Sequence, residues 1–181
     1  SLVGSEMCIR DRYGINNINH FLQESNTGKA IWRGIQRYKV GDPILFNDAS
    51  DKFFTRTEEQ LPVIHNNMTG RIVDFLLLNE GKATEGIQFD IEIDRPLIDM
   101  DMKDMDFTIV GTAANGNSII RFVVNKNKAT DEDDEGPSKA IVPFQIAYAV
   151  SIHKAQGLEY DHVKIIITDE IDESITHSIF Y

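Results

Sequence analysis

From Phe89 to Asp94 the chain alternates without a break: Phe89, Ile91 and Ile93 are apolar, Asp90, Glu92 and Asp94 acidic. Successive side chains of an extended strand point to opposite faces, so a period of two predicts a strand with one buried face and one wet face. Ile119, Arg121 and Val123 are read as a second strand of this kind. Val40, Ile44, Leu45 and Phe46 are β-rich around a Gly41-Asp42-Pro43 turn, with Tyr38 and Phe46 as core candidates. A His65–Gly70 turn precedes another strand, Arg71-Ile72-Val73-Asp74-Phe75. Several short strands with Gly and Asn turns predict a small antiparallel barrel.

One helical and two acidic stretches accompany these strands. Ile15, Ile18, Phe21 and Leu22 fall at helical spacing, which predicts a short amphipathic helix over residues 13–26, closed by Thr27-Gly28 and packed on a sheet. Asp131, Glu132, Asp133, Asp134 and Glu135 form an acidic run, and Asp99, Asp101, Asp104 and Asp106 another; such runs are read as solvated loops. They account for much of the formal net charge of −11, which argues against nucleic-acid binding over the whole surface but not in one local cationic groove. The 181 residues suffice for one ordinary domain or two small ones. No apolar stretch approaches the roughly 20 residues of a membrane helix. Cys8 is the only cysteine, so an internal disulfide and a cysteine zinc site are excluded.

Residues 147–163, AYAVSIHKAQGLEYDHV, carry the chemistry. An apolar run, Ala147 to Val150, leads into Ser151-Ile152-His153, a polar turn Lys154-Ala155-Gln156-Gly157, and Glu159; Val163 and Ile165–Ile167 then predict a second strand. Hydroxyl, imidazole, ammonium and amide groups beside a glycine suit phosphates. The run S-I-H-K-A-Q-G-L-E-Y resembles motif V of superfamily-one helicases, written [ST]-x-H-[KR]-[AS]-Q-G-x-[ED]-[FYW], with every position filled. The similarity is greatest to RecD-like DNA helicases, in the UvrD-like C-terminal family. G-D-P-I-L-F-N-D at 41–48 and N-N-M-T-G-R-I-V-D at 66–74 also resemble the signature of that branch.

The resemblance implies an α/β fold: part of the second RecA-like P-loop NTPase motor domain, carrying a small SH3-like antiparallel barrel as an insertion. The expected division is 1–12 non-native read-through, 13–37 helical motor part, 38–130 SH3-like barrel, 131–141 acidic linker, and 142–181 motor strand-turn-strand. It implies that Ser151, His153 and Lys154 contact single-stranded DNA, while Gln156, Gly157 and Glu159 face the nucleotide. It implies ATP and Mg²⁺ as cofactors of the parent protein, the first motor domain of the same chain as partner, and a cytoplasmic location. Thr176-His177-Ser178-Ile179-Phe180-Tyr181 is present, but the arginine segment that follows it in the family is not, nor is a GxxxxGK[ST] loop or a Walker B pattern. The expectation is therefore a piece of a longer helicase that alone hydrolyses no ATP.

Phe53 and Phe54, beside Lys52 and Arg56 in a polar loop, are additional candidates for stacking on bases. His65, His162 and His177 share no metal-ligand spacing, so no metal is assigned. Asp169, Glu170, Asp172 and Glu173 are read as a solvated loop rather than a cation site. The rival to a helicase is a β-barrel protein-interaction module of a degenerate ATPase, which needs no nucleic acid.

Overall fold

The alternation at 89–94 becomes strand β5 (Gly86–Ile93), whose even-numbered and odd-numbered positions part cleanly: Phe89, Ile91 and Ile93 are fully buried, while Asp90 and Glu92 lie on the partly exposed face. The computed structural model describes residues 14–33, 36–47, 63–81, 85–97, 105–125, 142–156, 158 and 164. It divides into two compact units, Ser1–Ala149 and Val150–Tyr181.

In the first unit a helix, α1 (Ile15–Gln23), precedes a hairpin of β1 (Ala30–Arg33) and β2 (Gln36–Lys39). Then follow β3 (Pro43–Phe46), β4 (Thr69–Leu78), β5, β6 (Thr108–Thr112), β7 (Ser118–Asn125) and β8 (Phe144–Ile146). The hairpin is a two-stranded sheet; the other six strands form one sheet in the order β6-β7-β5-β4-β3-β8. Every pairing is antiparallel. In β4 the register slips between Ile72 and Asp74, and this bulge lets both Ile72 and Phe75 reach the core although they are three residues apart. The core is aromatic at its centre, where Tyr38, Phe46, Phe89, Phe122 and Phe144 meet. On the wet face Arg121 donates to both carboxylate oxygens of its cross-strand partner Asp90, each at 2.7 Å.

This overturns the expected α/β class. A RecA-like motor domain is a parallel sheet with crossover helices, and its strands, covered on both faces, read as continuous apolar runs. Here the described strands are all antiparallel, and the described helices span nine residues (Ile15–Gln23) and four (Ile152–Ala155). One-sided alternation belongs to a sheet with one solvated face, and that is the sheet the chain builds. The expected SH3-like closure is corrected as well. Among the described residues the sheet stays open, with β6 and β8 as its edges.

In β7 the buried residues are Ile120, Phe122 and Val124, and Ile119, Arg121 and Val123 alternate with them on the partly exposed face. One packing expectation reverses face. In α1 the buried residues are Asn19 and Gln23, while Phe21 is 77% exposed. Helical spacing placed the apolar residues together, but hydrogen bonds from the polar stripe decide which face turns inward. No helix among the described residues is long and apolar enough to cross a membrane.

Gly70 sits where β4 passes between β3 and β5, paired with Ile44 on one side and Ile93 on the other. A Cβ there would stand 2.6 Å from the Glu92 carbonyl oxygen, backbone that cannot step aside. Gly70→Ala is expected to cost about 2 kcal/mol, the usual range for overpacking, in urea unfolding monitored by circular dichroism. An unchanged midpoint would show that the ladder yields freely at this point.

Candidate functional site

The second unit is described from Val150 to Gln156, and at Leu158 and Lys164. Ser151 is extended (φ −71°, ψ 153°) and opens helix α2 (Ile152–Ala155). Its carbonyl oxygen accepts from the Lys154 and Ala155 amides at 3.0 and 2.9 Å, and the Ala155 carbonyl from Leu158 at 3.0 Å. The predicted polar turn is thus a single helical turn. Ser151 caps it through the backbone, and its hydroxyl makes no capping bond. Lys154 is half-buried and Gln156 exposed. Ser151, Lys154 and Gln156 therefore share one compact turn. The His153 side chain, Gly157, Glu159, the strand expected at 163–167 and the acids at 169–173 lie outside the described residues, as do Phe53 and Phe54.

In the first unit the densest polar constellation surrounds Asp42, whose side chain is completely buried. Its Oδ1 accepts from Asn26 Nδ2 at 2.7 Å and from the Tyr148 hydroxyl at 2.8 Å. Its Oδ2 accepts from Gln23 Nε2 and from the Lys39 amide at 2.7 Å. Four donors around one carboxylate compensate its loss of water. Buried Lys39 turns its Nζ to the carbonyl oxygens of Gln23 (2.9 Å) and Asn26, covering the C-terminal end of α1, where a cation is favoured. Asn19 clamps the backbone of Ala149, donating to its carbonyl (2.9 Å) and accepting from its amide (2.8 Å). At the surface Arg37 donates to Glu24 at 2.5 Å, and that bond and charge hold the Glu24 carboxyl below the usual carboxylate range.

Sequence reasoning missed this constellation. Its signal was the spacing of Asn19 and Gln23, one turn apart on the helix, with Asn26 three positions further on. Beside it lies a cleft of about 110 Å³ between α1, β2 and β8, walled by Asn16, Asn19, His20, Gln23, Gln36 and Gln145 over Tyr38, Phe144 and Ile146. Among the described residues no group of three or more His, Cys, Asp or Glu is disposed to hold a metal ion.

Tyr148 provides a readout of the constellation. Partial burial, and then the bond to Asp42, push its phenol up to about 12. A folded-state value above the unfolded one near 10 means a stabilising contribution present below pH ~10 and lost as pH rises toward 12. The chain is expected to lose stability over that window, and Tyr148→Phe to lose less, in urea melts between about pH 9 and 12. Identical pH profiles for the two proteins would remove Tyr148 from the Asp42 cluster.

No protein-family model, no characterised protein and no solved structure matches this chain.

Proposed function

We propose that the chain belongs to an ATP-dependent DNA helicase of the RecD-like kind and serves it as a single-strand-contacting β module followed by the Ser151–Gln156 turn. The observation that carries this reading is the complete filling of S-x-H-K-A-Q-G-x-E-Y over residues 151–160. The turn geometry supports it. A hydroxyl not used in capping, an ammonium three positions on and an exposed carboxamide stand on one helical turn, chemistry suited to phosphate and sugar oxygens. On this reading Ser151, His153 and Lys154 grip the strand. Gln156, with Gly157 and Glu159, faces ATP and Mg²⁺ in the complete enzyme, which works in the cytoplasm beside its first motor domain. Gln156 is the one member of that nucleotide set among the described residues, so no step of hydrolysis is assigned to this chain.

The test is binding of a fluorescent single-stranded oligonucleotide across a salt series. Affinity is expected to fall linearly with the logarithm of salt concentration, and Lys154→Ala to reduce the slope by about 1. Absence of salt-sensitive binding would reject the helicase reading in favour of a protein-interaction module.

A further inference from the structure

We propose that the cleft between α1, β2 and β8 receives an unstacked nucleobase of the bound single strand. This inference rests on the nucleic-acid reading above for the identity of its polymer, but the site is a different one, built wholly within the first unit.

Among the described residues its lining contains no carboxylate, lysine or arginine, which suits a neutral group. Its walls are carboxamides, each holding a donor and an acceptor side by side in one plane, and that is the pattern a base edge offers in return. Asn19 and Gln23 are already committed to Ala149 and Asp42 and act as fixed walls. The binding capacity lies in the others. Among the described residues the side chains of Asn16 and His20 make no hydrogen bond, and Gln36 uses only its Nε2, on the Arg37 carbonyl at 3.1 Å, leaving Oε1 open. These groups project from two separate elements, α1 and β2, toward one space. The floor is the edge-to-face pair Tyr38 and Phe144, with ring centroids 5.8 Å apart. Both rings are fixed in the core, so the floor is rigid and apolar. The space of about 110 Å³ is open to solvent on one side, so a base would enter it by one edge rather than be enclosed. The deoxyribose and phosphates of such a nucleotide stay outside the cleft. A base combines in one rigid plane the hydrogen-bonding edge and the flat face that these carboxamide walls and apolar floor offer.

The experiment uses the whole chain and two strands of about ten nucleotides, a length within the usual range of single-strand sites: thymidylate, and an abasic strand with the same phosphates. Side-chain amide resonances of Asn16 and Gln36 are followed by nitrogen-15 NMR during both titrations. The thymidylate strand is expected to bind about five-fold or more tightly than the abasic one, and to move both resonances where the abasic strand does not. Gln36→Leu is expected to abolish the difference while preserving the abasic affinity. Equal affinity for the two strands, or cleft amides that stay still while thymidylate binds, would overturn the base site and leave the helicase reading standing. No binding of either strand would overturn both.

Discussion

Replacing Asp42 with alanine is expected to lower the midpoint of thermal unfolding by about 10 °C, the largest effect of any surface-remote polar substitution in the first unit. The expectation follows from what the carboxylate leaves behind. Gln23 Nε2, Asn26 Nδ2, the Lys39 amide and the Tyr148 hydroxyl all donate to it, and the Asp42 side chain is itself completely buried. Alanine removes both acceptors: the Lys39 amide and the Tyr148 hydroxyl lose this partner, while Gln23 Nε2 keeps the Arg37 carbonyl and Asn26 Nδ2 the Val40 carbonyl. Orphaning the partners of a buried charged group costs on the order of 3–5 kcal/mol, and a chain of this size loses about 2–4 °C per kcal/mol. Asp42→Asn keeps the shape but turns an NH₂ toward donors, so it should recover only part of the loss. Tyr148→Phe removes a single donor and should cost about 1 kcal/mol. If Asp42→Ala unfolds within about 1 kcal/mol of the parent chain, water reaches the donors and the carboxylate is not what ties α1, β2 and β8 together.

The same residues show what was readable in advance. Gly41-Asp42-Pro43 stood out as a turn, and the turn is there: Gly41 has φ +92°, open to glycine and strained for any residue with a Cβ. Asn67, in the predicted His65–Gly70 turn, likewise takes a left-handed φ of 67°, which asparagine tolerates better than most residues. The strand predicted at 89–94 was legible because period two is a local property of six consecutive residues, and the one at 71–75 because β-rich residues follow a turn. The buried face of α1 was not. Its polar stripe is stabilised by partners 19 residues away for Gln23 and 130 away for Asn19, and no local pattern encodes those distances. Sheet closure was illegible for a similar reason. Alternation fixes which side of each strand is wet but does not fix whether the first and last strands meet. Residues 147–167 were read as strand, turn and strand, whereas Ile152–Ala155 forms a helical turn. Ile152-His153-Lys154-Ala155 is too short for periodicity to separate the two, and the backbone carbonyl of Ser151 decides it.

Phe89→Ala is expected to cost about 3–5 kcal/mol, through lost transfer free energy and the cavity left behind. Phe89 is fully buried in β5, between β4 and β7, and its ring centroid lies 5.1 Å from Phe144, 5.4 Å from Tyr38 and 6.1 Å from Phe122. Those neighbours come from β8, β2 and β7, so one ring joins the small hairpin sheet to the six-stranded sheet. Rigid strands on both sides limit collapse into the space, which keeps the penalty at the upper end. In urea the midpoint should fall with the slope unchanged. Phe21→Ala is the control: a residue of the same type, 77% exposed, expected to change stability by no more than about 0.5 kcal/mol. The contrast bears on the cleft too. Tyr38 and Phe144 form its floor and lean on Phe89, so the alanine variant should also loosen that floor and broaden the Gln36 side-chain amide resonance even well below the unfolding midpoint. A Phe89→Ala protein with a cost below about 1.5 kcal/mol and a sharp Gln36 resonance would mean that the two sheets are held together elsewhere, and that the aromatic cluster is filling rather than keystone.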